Sequence, residues 1–231
     1  KFPHLMGCSV ADSEELAYEM GRIAAVEAGE LGYNWTLAPC VDIAHDPDSP
    51  MVSTRSAGRD PDRVIRICSA YVRGLQEHGM MATIKHFPGD GFGTLDQHLT
   101  TPENPLDMDT WRRTAGRVFQ ALIDNGAMAV MPGHISLPAY DQPDPRLGLC
   151  PPASLSKPLL TDLLRGELGF DGLIVSDAIG MGGAVGFMNY YDACATFWEA
   201  GGDCLLFSRS DDRFHREIEK RLASGMLKEE T

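Results

Sequence analysis

The sequence predicts an α/β fold with parallel strands, and it favours a (β/α) barrel over an open sheet. The elements run as one helix followed by strand–helix five times, the pattern of right-handed βαβ crossovers. Every strand segment is almost wholly apolar, as happens when both faces of a parallel sheet are covered. Asp42, Lys85, His86, His134, Asp177 and Ser208 all fall just after strands, whereas the connections before strands are short and plain. Barrels build sites from many strand C-terminal loops, while open sheets use one or two beside a switch point. Here at least four such loops carry candidates, which selects the barrel, although five strands do not close an eight-stranded one.

A first helix is predicted over 12–31. Asp12 and Glu15 are spaced as a capping box, and Leu16, Met20, Ile23, Ala24 and Leu31 form an apolar stripe. A short strand follows at 34–39, then a loop of turn formers, Asp46, Pro47, Asp48 and Pro50. Val64, Cys68, Tyr71, Val72 and Leu75 carry helical spacing over 62–78. Residues 80–85 form the next strand, and a glycine-rich loop runs on to Pro105. A helix over 109–125 leads to a strand at 127–131. Past a proline-rich loop, Ser156 caps a helix carrying Leu159, Leu160, Leu163, Leu164 and Leu168. A strand at 172–176, a second glycine-rich loop, a helix around 193–200, a strand at 204–207 and a charged helix to about Ser224 complete the order.

The chain has 231 residues, close to the ~250 of one barrel, and reads as a single domain over 1–231. Asp and Glu number 33 against 20 Lys and Arg, for a net charge of −13. Nucleic acids and anionic membranes require clustered basic residues, so neither is expected as a partner, while uncharged sugars are compatible. The six cysteines show no zinc-knuckle or redox spacing. Several sit in apolar runs, which suits free thiols and a reducing, cytoplasmic compartment. No transmembrane run or signal peptide is visible. The chain begins at Lys1 without a Met, so the expectation is that the native N-terminus has been removed.

Two segments carry most of the chemistry. In KHFPGDGFGTLDQH (85–98), Lys85 and His86 end a strand, and a loop with Gly89, Gly91 and Gly93 then presents Asp96 and His98. Glycines allow close approach to a ligand. A carboxylate two residues from an imidazole can orient it and favour its protonated form, making His98 a proton donor; an ordinary solvated loop is the alternative. In GFDGLIVSDAIGM (169–181), Asp177 ends an apolar strand, where it is either a turn or capping residue or a carboxylate nucleophile for an anomeric carbon. Gly180, Gly182, Gly183 and Gly186 follow it, but G-x-G-x-x-G would require glycine at 185, which is Val185. His134 follows a strand and is placed to face the same site. Arg55 and Arg59 lie near Asp60, where a surface ion pair would be worth little. His86, His98, His134 and Asp177 are metal-ligand types, but no spacing supports a metal.

Taken together, NWTLAPCVDI, TRSAGRDPDRV, the 85–98 segment, AVMPGHI and PPASLSKPLLTDLLRGELGFDGLIVSDAIGM resemble glycoside hydrolase family 3, specifically its bacterial β-N-acetylhexosaminidase branch. They keep the family's order and cover most of the chain. The resemblance implies a TIM-type (β/α) barrel, here incomplete, because the family normally has two barrel strands before the point where Lys1 stands. It places the nucleophile on Asp177 and the acid/base on His98, with Asp96 as its partner on a mobile loop. Lys85 and His86 would hold sugar hydroxyls, Arg55 would contact the sugar, and His134 joins them as a substrate-binding candidate. The implied mechanism is retaining: Asp177 attacks while His98 protonates the leaving oxygen, then His98 activates water. Asp96 would orient the imidazole as a triad Asp does. No metal or organic cofactor is implied.

β-Glucosidase relatives usually lack the loop Asp-x-His, so that loop argues for an exo-acting enzyme removing β-linked N-acetylglucosamine-type residues from a glycoside or oligosaccharide. A β-glucosidase, a glycoside phosphorylase and a non-catalytic sugar-binding chain are the alternatives. Asp90 stands where the family loop has His, and Gln97 where it often has Ser; both substitutions bear on leaving-group preference. Exposed strand edges would invite self-association.

Overall fold

A computed structural model describes residues 2–209 and 211–228. Helices α1 (Leu5–Val10) and α2 (Glu14–Gly29) precede strand β1 (Trp35–Thr36). Helix α3 (Pro61–Gln76) leads to β2 (Met81–Phe87), α4 (Met108–Arg113) and α5 (Ala115–Asp124) lead to β3 (Ala129–Pro132), and a π-helix (Pro158–Glu167) leads to β4 (Leu173–Ile174). Helices α6 (Gly182–Val185), α7 (Tyr190–Glu199) and α8 (Asp212–Ser224) follow.

The strands lie in the order β1-β2-β3-β4, and every neighbouring pair is parallel. A doubly wound sheet reverses its order at a switch point. Here sequence neighbours are spatial neighbours throughout, which is how the wall of a (β/α) barrel is wound. A parallel bridge between Val175 and Cys204 extends the order by one step. The strand expected at 204–207 is reduced to that bridge, because Phe207 takes a left-handed backbone (φ 54°) and turns the chain away. The strand expected at 34–39 is also shorter. Pro39 has no N–H to continue the ladder, and pairing resumes where Val41 N–H donates to Lys85 O at 2.8 Å.

The expected capping box at Asp12 is displaced by one residue. Ser13 is the N-cap and accepts from Leu16 N–H at 3.1 Å, while the Asp12 carboxylate pairs with Arg66 at 2.7 Å. The expected stripe on α2 holds in part: Met20 and Ala24 pack against the core, but Leu16 and Leu31 are exposed, and the fully buried face is Ala17, Gly21 and Ala25. Small residues win there because α2 and α3 touch backbone to backbone. A Cβ on Gly21 would lie 2.4 Å from Tyr71 O, and one on Gly74 would lie 2.1 Å from Tyr18 O. Gly74→Ala should therefore destabilise the protein by about 2 kcal/mol, since forced backbone separation outweighs the ~1 kcal/mol gain in helix propensity. Gly29→Ala, at a helical glycine with open space around it, is the control and should be neutral or stabilising. Urea midpoints of the two variants check this.

The helix expected at 109–125 breaks at Thr114 (φ −120°, ψ −100°) into α4 and α5. Trp111 folds over Gly116, where a Cβ would sit 2.5 Å from the indole. The indole Nε1 donates to Pro88 O at 2.7 Å, tying this corner to the start of the loop after β2. The π-helix buries Leu159, Leu160, Leu163 and Leu164 completely in the core, and Ser156 caps it by accepting from Leu159 N–H at 3.1 Å. All six cysteines are free thiols. Among the described residues, no helix is long and apolar enough to cross a membrane.

Candidate active site

The C-terminal ends of the strands converge on one polar cluster. Its hub is Asp42, just past the Cys40 bridge to β2 and only 1% exposed. Its carboxylate accepts from His86 N–H at 3.0 and 3.1 Å, from Asp90 N–H at 2.7 Å and from the Cys40 thiol at 3.1 Å, and it meets His86 Nδ1 at 2.7 Å. Burial alone would raise this carboxyl. The His86 imidazole and the two N–H groups outweigh burial and hold it below the usual carboxylate range. Cys40, Asp42 and His86 bring three ligand-type atoms within 4.8 Å, but those atoms already bond one another.

His86 presents its other nitrogen to the opening. Nε2 lies 3.9 Å from Asp177 Oδ2 and 3.5 Å from Arg55 Nη2. Arg55, at the end of a 3₁₀ turn (Ser53–Arg55), is anchored by Nη1 donating to Met51 O at 2.9 Å. Lys85 is half-buried beside it; burial first, and then Arg55, lower its pKa, opposed by Asp177, Cys40 and Asp42. Arg55 and Lys85 also border a hollow of about 330 Å³ between α1, α2, α3 and the segment after β1, but Asp177 and His98 are not on its wall. The polar cluster around Asp177 lies beside that hollow rather than within it.

Asp177 follows β4. Its Oδ1 accepts from Ala178 N–H at 2.7 Å, and its side chain is 16% exposed, so a ligand can reach it. His134 lies beneath this turn instead of lining the opening. It is fully buried, with Nδ1 on Ser154 Oγ at 2.7 Å and Nε2 on Ala178 O at 3.0 Å. Burial lowers its pKa, with Asp177 opposing. Both ring nitrogens are engaged within the protein, so its geometry suits holding the Asp177 turn.

Asp96 and His98 form a separate pair on the loop. Asp96 Oδ1 accepts from His98 N–H and meets His98 Nδ1, both at 2.8 Å. The His98 N–H bond is the main cause that keeps Asp96 below the usual carboxylate range. The imidazole is 55% exposed and is not paired with Asp177. The loop is docked by its backbone: Gly182 N–H donates to His98 O at 2.8 Å and Gly183 N–H to Gln97 O at 3.0 Å. The glycines after Asp177 thus serve close contact, since a Cβ on Gly183 would lie 2.7 Å from His134 Cβ and 2.8 Å from Gln97 O. Sequence reasoning noted the Asp42 position but gave it no role, and it read Asp90 and Gln97 only as departures.

Asp90 is buried behind the loop, and burial, with the nearby Asp42 charge, pushes its carboxyl up to about 6. The folded value is raised above the unfolded one, so this stability contribution is fully present below about pH 4 and is lost as pH rises through about 6. The stability of the parent minus that of Asp90→Asn should therefore fall by about 2 kcal/mol between pH 4 and pH 7. Denaturant titrations of both proteins across that range check the sign.

The profile of the glycosyl hydrolase family 3 N terminal domain matches residues 1–231. A "Beta-N-acetylglucosaminidase/beta-glucosidase" of Cellulomonas fimi is 34% identical over 226 residues, 96% of this chain and 40% of that protein. The solved "Beta-glucoside phosphorylase BglX" is 37% identical with a TM-score of 0.94, covering 99% of this chain and 42% of that one. A family 3 β-N-acetylglucosaminidase from Paenibacillus sp. str. FPU-7 is 34% identical with a TM-score of 0.89, again over 99% of this chain and 42% of the other. The chain thus spans less than half the length of these proteins. On its matched length and its fold, the chain belongs to glycosyl hydrolase family 3.

Proposed function

We propose that the protein carrying this chain is a retaining, exo-acting glycosidase that removes β-linked N-acetylglucosamine-type residues. The observation that carries this reading is the Asp96–His98 pair, bonded at 2.8 Å and docked on the backbone of residues 182–183, just past a reachable Asp177. Two groups with separate environments can divide the work. Asp177 attacks the anomeric carbon, and His98 protonates the departing oxygen. Asp177 becomes a glycosyl ester and the aglycone leaves as an alcohol. His98 then takes a proton from water, which attacks the anomeric carbon of that ester and frees Asp177 as a carboxylate. Asp96 holds the imidazole in orientation through Nδ1, leaving Nε2 for proton transfer. Arg55 and Lys85 border the nucleophile with donors suited to sugar hydroxyls, and His86 turns its Nε2 to the same opening, which fixes the ring for attack. No step requires a metal or an organic cofactor.

A phosphorylase reading has its own support. A β-glucoside phosphorylase is among the similar structures, and an imidazole acid/base repels phosphate less than a carboxylate would. The deciding experiment incubates the intact protein with aryl β-N-acetylglucosaminide and aryl β-glucoside, with and without inorganic phosphate. Free N-acetylglucosamine at a rate indifferent to phosphate is the expected product. A sugar 1-phosphate, with turnover dependent on phosphate, would replace hydrolase by phosphorylase. Faster release from the glucoside would overturn the sugar assignment.

A further inference from the structure

We propose that Asp90 and Gln97 form a polarity-locked clamp that positions the loop carrying Asp96 and His98, making both positioning residues for proton transfer to the leaving group. Gln97 stands between the two members of the pair and is completely buried, while His98 beside it is open to solvent. Its amide is used at both ends. Oε1 accepts from His134 N–H at 2.8 Å, and Nε2 donates to Asp90 Oδ2 at 3.2 Å. Its backbone carbonyl accepts from Gly183 N–H at 3.0 Å. Asp90, 5% exposed, accepts from Gly91 N–H at 2.7 Å through its other oxygen. Its own N–H donates to Asp42, which holds His86. A continuous path of hydrogen bonds therefore links the sugar-facing imidazole of His86 to the backbone of the acid/base loop.

The direction of each bond is forced. The His134 N–H fixes Gln97 Oε1 as an acceptor, so Nε2 must face Asp90 as a donor. The Gly91 N–H and that Nε2 together require acceptors at both oxygens of residue 90, which a carboxylate supplies and a carboxamide does not. The two positions at which the loop departs from the family pattern are thus bonded to each other. Such a bond fixes residue 97 from below, while residues 96 and 98 stay at the surface where a leaving group arrives. General acid catalysis depends on placement at the ångström scale, so the clamp controls how well His98 reaches the glycosidic oxygen. The assignment of that step rests on the glycosidase reading above.

The test compares Asp90→Asn, Gln97→Glu and the double swap in the intact protein. Each single change sets donor against donor, or carboxylate against carboxylate. The double swap restores the polarity: the carboxamide now at position 90 donates to the carboxylate now at position 97, which still accepts from the His134 N–H. Cleavage is read as kcat/KM for two β-glycosides, one with a poor alkyl leaving group and one with a dinitrophenolate that needs no proton. The single variants should lose roughly 10- to 100-fold on the alkyl glycoside and at most about twofold on the dinitrophenyl one. The double swap should recover most of the loss. Equal losses on both substrates, or no recovery, would overturn the clamp. Amide hydrogen exchange at Gly183, whose N–H holds the Gln97 carbonyl, gives a readout independent of turnover. It should quicken in each single variant and slow again in the double swap; unchanged exchange also overturns the proposal. A parent that cleaves neither glycoside defeats the glycosidase reading, and exchange then decides the clamp by itself.

Discussion

Replacing Asp177 with Asn should reduce glycoside cleavage by at least about 10³-fold while leaving the fold intact. The substitution is close to isosteric. The Asn Oδ1 can still accept the Ala178 N–H that Asp177 accepts at 2.7 Å, so the turn after β4 keeps its cap. The other oxygen is the one that changes. Oδ2 lies 3.9 Å from His86 Nε2 and faces the opening, and an amide nitrogen there cannot form a glycosyl ester. The surroundings change far less. Arg55 keeps its anchor on Met51 O, and the Asp42–His86 pair does not depend on Asp177 for its main bonds. A fluorinated glycosyl donor that stalls the second step should label the peptide containing residue 177 in the parent and leave the variant unlabelled, as mass spectrometry can show. Cleavage by the variant within tenfold of the parent, or label on another carboxylate, would remove Asp177 from the nucleophile role.

What the sequence revealed follows from the range of the interactions concerned. The strand-ending positions of Lys85, His86 and Asp177 were legible because apolar runs bounded by glycine and proline mark strand ends locally. The Asp96–His98 bond spans two residues, so spacing alone pointed to it. Asp42 was different. Its partners His86 and Asp90 lie 44 and 48 residues away, and no local pattern distinguishes a hub from any other polar residue after a strand. The α2 face was misread for a physical reason. Amphipathic reading assumes that the largest apolar residues face the core, but Gly21 and Gly74 let two backbones touch, and Leu16 and Leu31 lie outside that contact. His134 looked like a site-lining residue because its position after β3 is right. Only the structure shows both its nitrogens engaged below the Asp177 turn.

The hub that sequence missed should have the largest effect on stability. Asp42→Ala is expected to destabilise the protein by about 3–5 kcal/mol, the range for removing one partner from a buried, hydrogen-bonded charged cluster. The N–H groups of His86 and Asp90 and the Nδ1 of His86 all end on this carboxylate, and alanine leaves each of them buried without its acceptor. Asp42→Asn separates stability from function. Its remaining oxygen can serve the N–H groups of His86 and Asp90, as Oδ1 does now at 3.0 and 2.7 Å. Its NH₂ takes the place of Oδ2, which faces His86 Nδ1 at 2.7 Å. Opposite the carboxylate that nitrogen must carry a proton, whereas opposite the carboxamide it must accept one, so the imidazole is driven to the other tautomer. The nitrogen His86 turns toward Asp177 and Arg55 then changes from a bare Nε2, left when Nδ1 donates to Asp42, to an Nε2–H. Asp42→Asn should therefore keep most of the stability, losing about 1–2 kcal/mol, while glycoside cleavage falls by about 10²-fold or more. Denaturant midpoints and kcat/KM measured on the same preparations check both halves. If activity loss merely tracked the loss of stability across the two variants, Asp42 would be a structural residue alone, and the His86 tautomer would have no part in the chemistry.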